Sequence, residues 1–242
     1  MQIDPVKKAT FITPNWPKIS NVSAICISVP SANFLSPYRF HTNATSYRKS
    51  NEQLSAIFQT PIQCARLHQG DTNYITKAST HGYTIYADGH YTQEKNLACC
   101  IVTADCIPIL IADTHGKWVM AVHAGWRGLK NDILQKSLEH LPNHTDKPQV
   151  WLGPSICDNC YPVGPDFVNQ FTDKHSDYKQ FFNKKSKNQH ANLAAIATYQ
   201  LSKLGIEKIY QSALCTYCTN YLESYRRDKQ QSNRILSAIW LS

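Results

Sequence analysis

The sequence predicts an α/β fold of the mixed α+β kind. Short apolar runs rich in Ile and Val are typical of buried strands, and other segments repeat apolar residues at helical spacing. A four-residue turn between two of the apolar runs favours an antiparallel hairpin. With 242 residues, 42% of them hydrophobic and 11% aromatic, the chain can bury a substantial core. We find no internal repeat, low-complexity linker or domain boundary, and therefore predict a single domain over residues 1–242.

Four strands are predicted in the first half of the chain, over residues 24–29, 61–68, 97–112 and 118–123. The run at 97–112 consists mostly of Ile, Val, Ala and Cys, which indicates a strand that is buried on both faces and interrupted at Pro108. The turn that follows this run leads into 118–123, so these two strands form the predicted hairpin.

Helices and strands are mixed after residue 128. Pro142 would end the first of these helices, Pro165 can open the second, and Gly205 suits the position just after the third. The predicted elements are a helix over 133–141, a strand over 150–152, a helix over 165–171, a helix over 193–204, and strands over 206–213 and 234–241.

The net charge of +8 favours anionic partners such as phosphate, nucleotides or nucleic acids. The basic residues are spread out, however, with no long Lys/Arg tract and no aromatic–basic RNA motif, so nucleic-acid binding is not favoured.

No apolar stretch approaches the roughly 20 residues of a membrane span. The N-terminal segment has no apolar core of a secretory signal, and we therefore expect a cytoplasmic protein that does not contact membranes.

Nine cysteines are many for such a protein, and an odd number without an export signal argues against a disulfide framework. Four of them form two CxxC units, Cys157 with Cys160 and Cys215 with Cys218. Together they could form a four-cysteine structural zinc site. The intervening segment, 161–214, is far longer than in a compact zinc ribbon, so two redox pairs or simply buried thiols are the alternatives.

His68, Cys106 and His123 could form a second kind of metal site. Each lies inside a predicted strand or where a strand meets a turn, and a glycine-flanked turn at 125–128 follows His123. The gaps between the three are too long for a finger-like local knot, but they suit a catalytic zinc that the fold assembles. Three protein ligands would leave a fourth position for water or substrate. A buried structural Cys106 beside two unrelated histidines is the alternative.

Two adjacent arginines lie near the C-terminal end of the sequence. Adjacent side chains point in different directions, so at most one of Arg226 and Arg227 is expected to enter a site. Arginine can bind phosphate or carboxylate through two parallel hydrogen bonds. An ion pair with Asp228 is the structural alternative.

Several common kinds of site are absent from the sequence. There is no P-loop or GxGxxG pattern, which argues against an ordinary ATP or NAD site. There is no GxSxG nucleophile elbow. The ten histidines include no His-x-His pair, so a multicopper centre is not expected.

Five motifs stand in order along the chain: TADCIPIL (103–110), AVHAGWRG (121–128), WLGPSIC (151–157), CTYC (215–218) and SYRRDK (224–229). Together they resemble the YfiH family, also called the laccase-domain or multicopper polyphenol oxidase family. The resemblance covers about residues 60–242, and RILSAIWL at 234–241 also fits it. It implies a mixed α/β domain with two sheets and flanking helices.

The resemblance also implies a zinc-dependent enzyme that acts on purine nucleosides. Family members are described as phosphorylases of adenosine, inosine and S-methyl-5′-thioadenosine with adenosine deaminase activity, so the implied partners are a nucleoside and phosphate. The family's metal ligands fall on His68, Cys106 and His123, and the implied metal is a single zinc rather than the copper of the older family name. Bacterial relatives are also described as peptidoglycan editing factors, which remove wrongly incorporated serine from a muropeptide precursor.

The chain departs from the family pattern mainly in its N-terminal part. Family members usually carry Gln-Val-His-Gly at the first metal histidine, where residues 66–69 here are Arg-Leu-His-Gln. The N-terminal arginine and double-glycine signature is missing from residues 1–60, and Pro162 replaces the usual Glu before Val-Gly. We therefore expect the metal site to be retained and substrate recognition by the N-terminal half to differ.

In the leading hypothesis, zinc on the three ligands activates or orients a nucleophile. Arg127 or Arg226 would hold phosphate, and Asp105 would shuttle protons or orient a metal ligand from behind.

Three other functions stay open at the level of the sequence. The first is a peptidoglycan-editing amidase. The second is a metal-free hydrolase in which His123 or His68 activates Cys106 as a nucleophile. The third is a non-catalytic basic binding protein with structural cysteines. The sequence does not define the oligomeric state.

Overall fold

The computed structural model describes residues 9–28, 52, 54–80, 85–141, 148–185 and 187–242. Within these residues, fourteen strands form three sheets, and residues 54–58 are helical. The strands are β1 Thr10–Ile12, β2 Val22–Ser28, β3 Gln63–Ala65, β4 Ile75–Lys77, β5 Gly89–Thr92, β6 Leu97–Thr103, β7 Ile107–Ala112, β8 Val119–Ala124, β9 Gln149–Leu152, β10 Pro162–Val163, β11 Phe182–Lys185, β12 Asn188–Ala191, β13 Lys208–Gln211 and β14 Ile235–Leu241. The α-helices with defined bounds are α1 Trp126–Lys130, α2 Ile133–Glu139, α3 Pro165–Thr172, α4 Leu193–Lys203 and α5 Tyr225–Asp228.

Two mixed sheets carry the fold, in agreement with the predicted class. The five-stranded sheet has the order β1-β2-β14-β6-β3, and the six-stranded sheet has the order β13-β9-β7-β8-β5-β4. Three neighbouring pairs are parallel, namely β3 with β6, β4 with β5 and β13 with β9. A third sheet, which the sequence did not predict, is small and has the order β10-β12-β11.

Alternate residues of the central strands point to opposite faces and therefore build different cores. In β7, Ile109 and Ile111 pack against residues of α1, α2 and α4. Leu110, between them, packs with Ile101 of the five-stranded sheet. The two large sheets thus lie face to face, with α-helices over the outer face of the six-stranded sheet and residues 54–58 over the outer face of the five-stranded sheet.

The chain passes from one large sheet to the other at residues 104–106. The prediction of one strand over 97–112 was therefore wrong, because β6 ends at Thr103 in the five-stranded sheet and β7 begins at Ile107 in the six-stranded sheet. Between them, Asp105 has φ 84°, which no residue of a continuous strand adopts. Both strands are nevertheless buried on both faces, as predicted.

Pro108 does not interrupt a strand but lies within β7. It stands opposite His123 of β8 and one residue beyond the last pairing between β7 and β9. The missing N–H of proline is tolerated there because the ladder with β9 does not extend to it. Its carbonyl still accepts a hydrogen bond from the Gly153 N–H at 2.8 Å.

The remaining predictions largely match the structure. The hairpin is confirmed, since β7 and β8 are antiparallel. The three predicted helices correspond to α2, α3 and α4, and Gly205 follows α4 in the left-handed conformation. Residues 126–130 form α1 where a glycine-flanked turn was expected. Pro142 lies outside the described residues, and the single domain over 1–242 stays a prediction.

Among the helices of the described ranges, none has the length and apolar character needed to cross a membrane.

Candidate functional site

A cavity of about 440 Å³ lies where the chain crosses between the two large sheets. Pockets that hold small molecules ordinarily measure about 300–1,000 Å³. The crossing and the end of β8 contribute to the same cavity as a loop that follows β3, so distant parts of the sequence meet here. The walls include residues 68–71, residues 102–104, Cys106, His123, Tyr225 and Arg234.

Three possible metal ligands meet at this cavity. One donor atom each of Asp71, Cys106 and His123 lies within 4.8 Å of the others. Cys106 comes from the crossing, and His123 is the second-last residue of β8. Gly125 leaves room for these donor atoms, because any side chain at this position would collide with them. A Cβ atom there would lie 2.7 Å from Asp71 Oδ1 and 3.2 Å from Cys106 Sγ.

His68 lines the same cavity but is not one of these three donors. Its backbone forms an isolated parallel bridge with Tyr86, and its ring lies against the Tyr86 ring with 4.1 Å between the ring centroids. The structure therefore brings the predicted trio of His68, Cys106 and His123 to one cavity and adds Asp71, which the sequence did not predict as a ligand.

A buried carboxylate, Asp88, holds His123 from behind. Asp88 is fully buried, and its Oδ1 lies 2.6 Å from His123 Nδ1. Thr72 donates to it from both its N–H, at 2.6 Å, and its hydroxyl, at 2.7 Å. The N–H groups of Gly70 and Asp71 each donate at 3.3 Å. The same carboxylate thus orients the His123 ring and the loop that carries Asp71, as expected of a partner behind a metal-binding histidine.

The electrostatics of this pair follow from burial and neighbouring charge. Burial disfavours the charged imidazolium, but the Cys106 sulfur and the Asp88 carboxylate outweigh this effect and raise the pKa of His123 to about 10. Burial also disfavours ionised Asp88, yet hydrogen bonds from His123 and Thr72 hold the pKa of Asp88 below its usual value. The ion pair is therefore formed at neutral pH, and a metal that binds the other ring nitrogen must displace a proton.

Gln69, where the family resemblance leads us to expect glycine, ties the loop to the end of β6. Its side-chain nitrogen donates to the Val102 carbonyl at 2.7 Å, and its side-chain oxygen accepts from the Val102 N–H at 2.8 Å. The amide thus pairs with the backbone as a neighbouring strand would. This departure from the family pattern adds a fixed contact directly beside His68.

The Asp105 side chain joins two other segments to the crossing. It is buried, accepts from the Thr216 hydroxyl at 2.6 Å and accepts from the Arg226 N–H at 2.6 Å. Its backbone carbonyl accepts from the Ile156 N–H at 3.0 Å. These contacts position the neighbour of Cys106, and the predicted role of Asp105 in proton transfer stays a prediction.

The predicted arginines differ in their surroundings. Arg127 is about half exposed, lies 3.0 Å from Asp71 Oδ2 in an ion pair and stacks over the ring of its neighbour Trp126. The Arg226 guanidinium lies over the Tyr161 ring at 4.8 Å.

Arg227 has a structural role, as the alternative interpretation of the arginine pair required. Its guanidinium donates to both carboxylate oxygens of Asp228 and to three backbone carbonyls, those of Thr216, Tyr217 and Leu222. Arg234, which the sequence did not single out, lines the cavity.

The donor atoms present fit a metal ion. A thiol, an imidazole and a carboxylate provide sulfur, nitrogen and oxygen, and Gly125 leaves the space between them open. Asp88 supplies the second hydrogen bond that fixes the His123 ring. Asp88 carried no recognisable signal in the sequence, because its partners, His123 and the loop at 70–72, are more than a dozen residues away.

Known proteins resemble this chain over most of its length. Residues 40–242 match the model of the family described as multi-copper polyphenol oxidoreductase laccase. A Haemophilus influenzae protein named purine nucleoside phosphorylase is 32% identical over 245 residues, which cover 95% of this chain and 98% of that protein. The Escherichia coli purine nucleoside phosphorylase YfiH is 28% identical, with 96% and 98% covered. A crystal structure from Neisseria meningitidis has a TM-score of 0.81 and 28% identity, covering 96% of this chain and 99% of that one.

The ion pair between Asp88 and His123 can be tested by the substitution Asp88→Asn. We expect the pKa of His123 to fall towards its ordinary value and the free energy of unfolding to drop by about 3 kcal/mol near pH 6, because a buried pair loses one charge. Since the pair needs protonated His123, the stability difference should shrink as the pH rises through about 10. Histidine NMR titration and urea unfolding of the metal-free protein measure both effects.

Asp113→Asn provides the matched control, because Asp113 is also fully buried but accepts from the backbone N–H groups of His115 and Lys117. Asp113→Asn should lower the free energy of unfolding without changing the pKa of His123. An unchanged pKa of His123 in Asp88→Asn would contradict the described electrostatics.

Proposed function

We propose that this chain, which belongs to the multi-copper polyphenol oxidoreductase laccase family, is a zinc-dependent purine nucleoside phosphorylase. The proposed substrates are adenosine, inosine and S-methyl-5′-thioadenosine together with phosphate, and deamination of adenosine is the proposed second reaction. The observation that carries the proposal is the meeting of Cys106, His123 and Asp71 on the wall of a cavity large enough for a nucleoside. The names of the Haemophilus and Escherichia relatives support the same substrate class. A cytoplasmic location is part of the proposal.

Zinc is the metal that the donor atoms favour. Thiolate sulfur and imidazole nitrogen are preferred zinc ligands, and a carboxylate oxygen is also accepted. Cys106 and His123 would therefore bind it, with His68 or Asp71 as the third ligand. Bound there, zinc would act as a Lewis acid on an oxygen of water or phosphate. A multicopper centre would need more histidines than the two, His68 and His123, that line this cavity in the described part of the chain.

The protein groups around the cavity suit phosphorolysis. In this reaction a phosphate oxygen bonds to the anomeric carbon of the ribose, the bond from that carbon to the purine breaks, and the purine leaves with the electron pair and takes up a proton. We assign phosphate binding to Arg226 with Arg127 as the alternative, because Arg127 is already paired with Asp71. The half-exposed ring of Tyr225, in the cavity wall, can stack on the purine.

A metal-free cysteine hydrolase is the second candidate, and one observation favours it. Cys106 contacts the His123 ring, and Asp88 holds the opposite ring nitrogen at 2.6 Å. A nucleophile, a base and an orienting carboxylate in this order are the parts of a catalytic triad. The two candidates use the same side chains, so an experiment has to separate them.

The zinc-dependent function predicts that His123→Ala loses the zinc bound at the cavity and all nucleoside turnover, because a principal ligand is removed. The purified protein is incubated with adenosine, inosine and S-methyl-5′-thioadenosine, with and without phosphate, and the products are separated by chromatography. His115→Ala changes an exposed histidine on the turn before β8 and should leave zinc content and turnover intact. Turnover by metal-free His123→Ala protein would refute the proposal.

The phosphate assignment predicts that Arg226→Ala raises KM for phosphate by roughly tenfold or more, because a charge-assisted hydrogen bond is lost. Deamination of adenosine, which consumes no phosphate, should change little. The substitution spares the backbone N–H that contacts Asp105. Arg127→Ala is the comparison. An increase in KM for phosphate that occurs only in Arg127→Ala would indicate that Arg127, and not Arg226, binds phosphate.

The second candidate predicts rapid alkylation of Cys106 by iodoacetamide with hydrolase activity that survives chelation. Zinc binding predicts the reverse, namely slow alkylation of the metal-loaded protein and faster alkylation after the zinc is removed. Mass spectrometry of the labelled peptide identifies the modified residue. Rapid labelling of Cys106 in a protein without bound zinc would favour the hydrolase.

A further inference from the structure

Four cysteines outside the cavity lie close together in space. Cys157 precedes a single turn of 3₁₀ helix that ends at Cys160, and Cys215 and Cys218 lie in the loop after β13. The four sulfur atoms all lie within 4.8 Å of one another, and Cys160 Sγ is 3.2 Å from Cys218 Sγ. The sequence left this arrangement open, because 161–214 separates the two pairs.

The parallel pairing of β9 with β13 explains how this gap is closed. Parallel strands end at the same edge of a sheet, so the loops that follow them start side by side. Beyond the strands, Ser155 bridges to Cys215, and the backbone hydrogen bonds from Ser155 to Leu214 and from Thr216 to Ser155 measure 3.2 and 3.1 Å. The two CxxC loops are therefore joined by their backbones, independently of the sulfur atoms.

The spacing of the sulfur atoms suits one ion rather than a cluster of ions. Four sulfurs at about 2.3 Å from one tetrahedral zinc are about 3.8 Å apart. The four sulfurs here all lie within 4.8 Å of one another, with 3.2 Å between those of Cys160 and Cys218. The ligands of an iron–sulfur cluster are held farther apart, because several iron and sulfide atoms lie between them.

Backbone N–H groups point at the sulfur atoms of both loops. The Cys157 N–H donates to Cys215 Sγ at 3.3 Å. Within each CxxC unit, the N–H of the second cysteine contacts the sulfur of the first, in Cys157 with Cys160 and in Cys215 with Cys218. The backbone of the two loops thus holds the sulfur atoms of Cys157 and Cys215 in place.

We propose that Cys157, Cys160, Cys215 and Cys218 bind one structural zinc ion, separate from the candidate centre at Cys106. Four thiolate ligands complete a tetrahedron and leave no position for substrate, so the ion stabilises structure rather than catalysing a reaction.

The contacts of the two loops define what this zinc would position. Ile156, next to Cys157, donates to the Asp105 carbonyl, and Thr216, inside the second CxxC unit, donates to the Asp105 carboxylate. Asp105 directly precedes Cys106. The zinc would therefore help to hold the crossing between the sheets in place, and its loss should loosen the Cys106 position.

The test is the zinc content of the whole purified protein, measured by plasma mass spectrometry. The double variant Cys160→Ser/Cys218→Ser should contain one zinc per chain fewer than the wild type. Cys26→Ser changes a buried thiol that faces Ser237 in the core and should keep the wild-type zinc content. An unchanged zinc content in the double variant would overturn the proposal.

The same measurement separates this inference from the proposed function. Loss of one zinc in the double variant, with no loss in His123→Ala, would support the four-cysteine site and count against the zinc-dependent cavity. The reverse result would overturn the four-cysteine site alone. Iron in place of zinc, or a mass two hydrogens lower that indicates a disulfide, would also overturn it.

A second measurement does not depend on the folding of the double variant. His123→Ala protein is loaded with cobalt(II), whose visible absorption reports the ligands that surround it. We expect the intense thiolate-to-cobalt bands of four-sulfur coordination at one ion per chain. Their absence in folded protein would overturn the proposal.

Discussion

The carboxylate of Asp88 is a buried negative charge, and the order of the cavity wall depends on how that charge is satisfied. Five donors surround it, one from the His123 ring and four from the loop at 70–72. Leaving such a charge without its partners costs several kcal/mol, so the loop, the start of β5 and the end of β8 are held as one unit. Asp88 therefore fixes the positions of Asp71 and His123 relative to each other, because each of these two residues forms a hydrogen bond with it.

A second buried carboxylate, Asp105, holds the crossing at 104–106 in place, as Asp88 holds the loop at 70–72. It connects the crossing to the segment after β9, to the loop after β13 and to the start of α5. Cys106 thus stands between the two large sheets and beside a residue that accepts three hydrogen bonds from other segments. The side chains at the cavity belong to a stiff scaffold, which suits chemistry that requires fixed distances between reacting groups.

The sequence predicted those features that local patterns determine, and it missed those that depend on distant partners. The hairpin of β7 and β8, and with it His123, follows from apolar runs on either side of a short turn. The change of sheet at 104–106 was missed because apolar residues continue on both sides of it, although Asp105 within the run is a residue type typical of turns. Asp88 was missed for a related reason, since its partners come from a loop that no periodicity connects to it. The meeting of the two CxxC units, Cys157 with Cys160 and Cys215 with Cys218, required the parallel pairing of β9 with β13.

The position of β14 has a consequence for how this protein acquires its structure during synthesis. Residues 235–241 form the central strand of the five-stranded sheet and pair with β2 on one side and β6 on the other. Those two strands have no direct pairing with each other, so they stay unjoined until the ribosome has released residues more than 130 positions further along than β6. Contacts of such long sequence separation form slowly. The unpaired edges of β2 and β6, with their free backbone N–H and C=O groups, are thus exposed in the nascent chain, which makes this sheet a natural point for chaperone action.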